Sequence, residues 1–284
     1  MIALLLLALQ DPLPVEKVGE GLAAKYKNDA GIGKDPRVIL HETFEGDLKQ
    51  WTETKAPDFE SKIVHGGSKS LKFTATMGKD TGGHLWKMLK PGFDKVHFRF
   101  YVYFPQEHEY VHHFVHLCGY NPPTAWPQGG AGERPEGDKR FSTGLDITGD
   151  WGKLAPPGRW TFYSYWCEMK ASNDGKFWGN MAKQEKNALV EKGKWVCAEF
   201  MLKCNTVGKS DGEQAFWIDG QCAGRWGGYT WRTDAALNVN GIWLLYYITE
   251  NAPRQNNVKD PKRTNTVYFD DIVVAQDYIG PTKK

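Results

Sequence analysis

The chain has 284 residues, 36 Lys and Arg against 34 Asp and Glu, 40% hydrophobic and 13% aromatic residues, 31 Gly and 15 Pro. A formal net charge of +2 excludes a nucleic-acid binder that works through overall charge, although basic residues gathered in one groove would still attract an acidic ligand. The apolar content suffices for a sizeable core, and the Gly and Pro content suits short strands joined by many turns.

Residues 1–10, Met-Ile-Ala-Leu-Leu-Leu-Leu-Ala-Leu-Gln, form an apolar run of secretion-signal length, short of the ~20 residues a membrane helix needs. We read them as a signal peptide without the usual leading Lys or Arg. The protein is then exported, to the periplasm, the cell surface or the medium. No later stretch reads as a membrane span. Residues 11–37 read as an N-terminal arm, in which 20–27 predicts two helical turns ended by Gly31 and Gly33.

From residue 38 to residue 284 the pattern changes to short alternating runs, at 38–44, 70–75, 96–104, 111–117, 160–169, 195–204, 214–219, 241–249 and 266–275. Gly, Pro, Asn or Asp clusters separate them. So many strand signals with almost no helical period predict an all-β fold, a two-sheet antiparallel jelly-roll β-sandwich in one domain; a monomer is expected, although no residue pattern specifies it. The long connections 119–139 and 171–192 are expected to border a concave binding face.

In 96–104, Val96, Phe98, Phe100, Val102 and Phe104 share one face, and His97, Arg99, Tyr101 and Tyr103 the other. In 241–249, Trp243, Leu245, Tyr247 and Thr249 alternate with Ile242, Leu244, Tyr246 and Ile248. Two strands with an aromatic or cationic outer face predict a shared wet surface for polysaccharide, because aromatic rings stack on the C–H faces of sugars while Tyr and Arg bond their hydroxyls. Arg99, Tyr101 and Trp243 are the candidates to bind substrate there.

The densest histidine cluster is His112, His113 and His116. On a strand, His112 and His116 face one way and lie ~13 Å apart, too far to chelate one ion, while His113 points inward with Val115 and Leu117. His112 and His116 read as groove residues. Glu199 faces the polar side of 195–204, where it is a candidate to bind substrate, and with Glu168 it raises a glycoside hydrolase alternative that needs two carboxylates flanking the bond. The five cysteines, at 118, 167, 197, 204 and 222, show no metal spacing and predict no particular disulfide.

Three stretches carry a family likeness: Glu-Thr-Phe-Glu-Gly-Asp at 42–47, Val-His-Gly-Gly-Ser-Lys-Ser-Leu-Lys at 64–72, and Val-Tyr-Phe-Asp-Asp-Ile-Val-Val-Ala at 267–275. Together they resemble the first, second and last strands of concanavalin-like jelly rolls, specifically the glucuronan-lyase-like polysaccharide lyases and the fungal cellulose-induced secreted protein of the same fold. The resemblance implies a structural calcium ion held by the carboxylates of Glu45 and Asp270 and the carbonyls of Gly66 and Lys69, hard oxygens of the kind calcium takes. It also implies cleavage of an acidic, uronate-containing polysaccharide by β-elimination. His84, in Gly-Gly-His-Leu-Trp at 82–86, and Tyr247, with Tyr246 adjacent, take the catalytic places. Where the lyases neutralise the substrate carboxylate with a Gln, Arg-Phe-Ser-Thr-Gly-Leu-Asp at 140–146 ends in Asp146. An unpaired Asp would repel a uronate, so either Arg140 takes over neutralisation or the chain is a carbohydrate-binding or envelope protein that kept the fold without the chemistry.

Overall fold

A computed structural model describes residues 12–14, 19–182 and 188–283, so the expected signal peptide at 1–10 lies outside the described residues. The strands in chain order are β1 (Val38–Glu42), β2 (Glu53–Lys55), β3 (Asp58–Glu60), β4 (Ser70–Thr76), β5 (Gly82–Phe93), β6 (Lys95–Tyr103), β7 (Val115–Tyr120) and β8 (Arg140–Thr148). They continue as β9 (Arg159–Tyr165), β10 (Asn180–Met181), β11 (Trp195–Lys203), β12 (Gly212–Ile218), β13 (Gln221–Tyr229), β14 (Val239–Tyr247) and β15 (Thr264–Ala275). One short helix, α1 (Asn251–Gln255), lies between the last two.

The strands form two antiparallel sheets. The first runs β13-β12-β11-β6-β15-β4-β3, with β1 also paired to β15; the second runs β10-β9-β8-β7-β14-β5-β2. This is the all-β, two-sheet jelly-roll sandwich that the strand period predicts. The alternation works as expected on the inner faces: Val96, Phe98, Phe100, Val102 and Phe104 are fully buried, as are Ile242, Leu244 and Tyr246 opposite. Phe114 joins the sheets, stacked 5.3 Å from Phe269 of β15 and edge-on at 6.1 Å to Phe100 of β6. Each such ring is worth ~1.5–3 kcal/mol of transfer free energy.

The outer faces are not shared. β6 belongs to the first sheet and β14 to the second, so their outward residues look away from each other across the core. Over β15 and the middle of β6 the first sheet's outer face is moreover covered, and a pocket of ≈ 570 Å³ remains beside the arm over β11, β12 and β13. The expected helical turns of the arm are short 3-10 turns, Leu22–Lys25, Lys27–Asp29 and Ile32–Lys34, whose Leu22, Ala23 and Ile32 pack on Val273, Ala275 and Ile279. Gly21 permits this docking at φ 77, since a Cβ there would stand 2.3 Å from the Ile279 carbonyl oxygen.

Arg99 is sealed beneath the arm and the C-terminal tail. Its guanidinium pairs with buried Asp29 and donates to the Gly280 and Asp271 carbonyls and to Thr282 Oγ1. Burial alone would lower its pKa, but Asp29 outweighs burial and raises it. Tyr101 is buried beside it and accepts from the Thr282 backbone N–H. Glu199 is buried too, bonded to His97 Nδ1 at 2.9 Å and accepting the N–H groups of Ile279 and Gly280. Arg99, Tyr101 and Glu199 therefore hold the termini down and face away from the open cleft described below, contrary to the substrate-binding roles expected of them. All five cysteines are free.

Candidate active site

The outer face of the second sheet is open. A cleft of ≈ 960 Å³ lies over it, walled by β14, β5, β8 and β9 and by the loops around Pro127, Trp151 and Trp178. A smaller pocket of ≈ 150 Å³ continues it toward Arg140 and shares His113, Tyr163, Tyr165, Trp243 and Leu245 with it. Both long connections thus reach this face, as their length suggests. Residues 183–187 of the second lie outside the described residues.

His84 and Tyr247 open onto this one cleft. β5 and β14 pair with His84 opposite Leu245 and Gly82 opposite Tyr247, so the two side chains are diagonal neighbours on one face. Gly82 leaves the space beside Tyr247 free. His84 Nε2 is bonded to Glu53 of the neighbouring edge strand β2, and its ring meets Trp243 edge-on at 5.8 Å. Trp243 in turn lies 5.6 Å from the ring of His116, which is buried with its Nδ1 2.8 Å from the Phe114 carbonyl. His116 is thus a packed wall residue rather than a free groove histidine.

The centre of the cleft is His113. Simple alternation points it inward; the chain does the opposite. The regular strand begins only at Val115, and before it the N–H groups of His112 and His113 both reach the Tyr247 carbonyl while Tyr247 donates back to the His113 carbonyl. Phe114 and Val115 both enter the core, and the Phe114 N–H, left out of the ladder, donates to Asp146 Oδ1. This break turns His113 outward over the sheet. Its Nδ1 lies 3.0 Å from Asp146 Oδ2, and its other ring nitrogen has no hydrogen-bond partner among the described residues.

Burial would raise Asp146, but the hydrogen bond and charge of His113, with help from His116 and the Phe114 N–H, outweigh it and hold the carboxyl below its ordinary range. Asp146 is therefore ionised, paired and set behind His113, where its charge is already answered. Toward a uronate Asp146 is thus not a bare carboxylate but one held by the His113 ring and the Phe114 N–H, which weakens the expected repulsion. Arg140 starts β8 six residues before Asp146, ~20 Å along an extended strand. It donates to the Gly130 and Glu133 carbonyls and lies 6.0 Å from the Tyr165 ring, so it belongs to the adjoining pocket, not to the centre.

Tyr247 is stacked on both neighbouring histidines, 5.1 Å from the His112 ring and 5.8 Å from that of His113, and Tyr163 approaches His113 at 5.0 Å from the far side. Burial and then His113 push His112 down to about 4, so it is neutral at pH 7, with Nδ1 2.8 Å from Thr249 Oγ1. Lys55, beside His84 across the β2–β5 pair, and Arg254 on α1 bring exposed cations to the rim. Sequence reasoning missed His113, Glu53 and Tyr163. The signal was faint: an acidic residue inside a strand, Asp146, whose burial required a partner.

Away from the cleft, Glu45 and Asp270 do meet one turn, at residues 65–69. Glu45 accepts the backbone N–H groups of Ser68 and Lys69, and Asp270 those of His65 and Gly66. The turn offers amide donors to these carboxylates where the family likeness implies carbonyl oxygens around an ion. Among the described residues no three His, Cys, Asp or Glu side chains converge as metal ligands, so a calcium ion would depend on backbone oxygens beside these two carboxylates.

No family model matches the sequence, and no curated protein does. Solved structures do match the fold. An alginate lyase, vAL-1, from Chlorella virus superposes with a TM-score of 0.61 at 14% identity, covering 84% of this chain and 99% of that one. The endo-β-1,4-glucuronan lyase of the fungus Trichoderma reesei gives 0.55 at 17% identity, with 84% and 95% covered. The cellulose-induced protein Cip1 gives 0.52 at 15%, with 85% and 99% covered. The chain thus has the jelly-roll fold of these lyases and of Cip1, as its three motifs suggest; at such identities the likeness is one of fold.

Proposed function

We propose that this chain is a polysaccharide lyase that cleaves a uronate-containing polymer by β-elimination in the His113 cleft. The observation that carries the reading is the oriented dyad: an ionised, buried Asp146 holds a proton on His113 Nδ1 and leaves Nε2 to accept one, beside the Tyr247 phenol. His113 takes the proton alpha to the substrate carboxylate. The electron pair forms the carbon–carbon double bond as the bond to the glycosidic oxygen breaks, and Tyr247 donates its proton to that oxygen. Lys55 on β2 and, when protonated, His84 on β5, two strands and one strand from Tyr247, neutralise the carboxylate and make its alpha proton acidic. Tyr247 keeps the proton-transfer role read from the sequence, whereas the base is His113 in place of His84, which passes to the substrate carboxylate.

The test is ultraviolet absorbance of the unsaturated uronate ends, over a panel of acidic polysaccharides, on wild type, His113→Ala, Asp146→Asn and Tyr247→Phe. Product from wild type that survives His113→Ala would refute the assignment. A non-catalytic carbohydrate-binding protein is the second reading, favoured by the exposed Trp151 and Trp178 at the rim. Retention on polysaccharide with no product from any substrate would establish it. The hydrolase alternative loses its pair, since Glu199 is buried under the C-terminal tail of the first sheet while Glu168 follows β9 of the second.

Export, a monomeric state and a structural calcium at Glu45 and Asp270 belong to the same proposal. No helix among the described residues is long and apolar enough to cross a membrane. Fractionation of the native host and size-exclusion chromatography test the first two.

A further inference from the structure

The cleft is rich in aromatic rings and poor in fixed charge. Its cations are Lys55 and Arg254, and its one carboxylate, Asp146, is spent on His113 and the Phe114 N–H. A polymer with a carboxylate on every ring would leave most of those charges unanswered along a cleft of this size. Two tryptophans stand instead on two different borders. Trp178 is 38% exposed just before the edge strand β10, with Nε1 fixed 2.9 Å from Asp174 Oδ2. Trp151 is 64% exposed on the loop that leaves β8.

Trp151 is held in that position against local preference. It has φ 56, after Asp150 at φ 49, in the left-handed region that a bulky side chain avoids. Asn257 Nδ2 donates to its carbonyl, and the next N–H, of Gly152, donates to Asn256 Oδ1. A large apolar ring kept in water on a strained backbone gains nothing for the fold. Such strain is a mark of a binding position.

We propose that the cleft takes a mixed polysaccharide, with a uronate at His113 and neutral sugar rings stacked on Trp151 and Trp178. The assignment of the uronate rests on the lyase reading; the stacking of neutral rings does not. Binding through ring faces also depends little on salt, whereas a chain of carboxylates bound through cations releases as the salt rises.

The experiment is affinity gel electrophoresis, which reads binding without catalysis. The gels carry alginate or glucuronan as polyuronates, or gellan or xanthan as mixed polymers, at low and high salt. Wild type, Trp151→Ala, Trp178→Ala and Trp151→Phe are run after thermal melts establish that each is folded. We expect at least one mixed polymer to retard wild type more than either polyuronate, with little change at high salt. Each Ala variant should weaken that binding roughly five- to tenfold, and Trp151→Phe should restore most of it. Equal or stronger retardation by the polyuronates, or retardation indifferent to both Ala variants, overturns the proposal. Tryptophan-dependent retention on a mixed polymer with no unsaturated product from it would sink the lyase reading and leave this inference standing.

Discussion

The two sheets carry similar outward patterns and put them to opposite use. β6 presents His97, Arg99 and Tyr101, and β14 presents Trp243, Leu245 and Tyr247, each an aromatic and polar set opposite an apolar one. On the first sheet the arm and the C-terminal tail close over the pattern, and every charge finds a buried partner. On the second sheet the connecting loops rise around it and leave it open. An aromatic, cationic strand face is thus evidence of a demanding environment, and only the rest of the chain decides whether that environment is a ligand or the protein's own termini.

The open face is tested most strongly by removing its proposed base, His113. His113→Ala should cost about 10²–10⁴-fold in kcat and, because it takes a partner from buried Asp146, should also lower the melting temperature, whereas His113→Asn, whose amide can still donate to Asp146, should lose the activity and keep more of the stability. Initial rates and a melt on one preparation decide it. On the sealed face the expectation reverses. Arg99→Ala strands Asp29 without its cation and should cost about 3–5 kcal/mol in denaturant unfolding, with kcat unchanged in the folded enzyme. A loss of kcat without a loss of stability would return Arg99 to the substrate.

A third effect lies between the faces. His108 is buried behind the cleft, with Nε2 2.7 Å from the Tyr246 hydroxyl, and burial pushes it down to about 4. The unfolded chain, with the ordinary value near 6.5, binds the proton first as pH falls. The stability that a neutral His108 contributes is therefore full above pH 6.5 and is lost between there and pH 4, by about 3 kcal/mol. Unfolding titrations across that window should show the loss, and His108→Asn should remove its share of it, leaving the share of His112, which is also pushed down to about 4.

The fold was legible because inner faces obey period alone: the residues of β6 and β14 assigned to the core by alternation are all buried. The covering of Arg99 was not, since its partners Asp29 and Thr282 stand 70 and 183 residues away in sequence and nothing in 96–104 points to either. His113 was missed for a different reason. Alternation assumes an unbroken strand, and the bond from the Phe114 N–H to Asp146 breaks it one residue before the ladder starts. Asp146, which stood out as a misfit against the family pattern, was the visible end of that arrangement.

The smallest expected effect concerns the turn at residues 65–69, which ties the sealed sheet's β15 to the loop after β1. Gly67 has φ 65 and lies so close to Glu45 that a Cβ would stand 2.3 Å from its Oε1, so the turn and the carboxylate fit as a unit. Calcium at tenfold its dissociation constant should add about 1.4 kcal/mol and raise the melting temperature by a few degrees, with a chelator reversing the shift. Glu45→Gln isolates the ion from the turn, because Gln keeps an oxygen to accept the Ser68 and Lys69 N–H groups and lacks the charge that holds a cation. The calcium-free melt of that variant should match the wild type and the calcium-dependent increment should vanish. An increment that persists in Glu45→Gln places the ion elsewhere, and no increment in the wild type leaves the turn held by its amide donors alone.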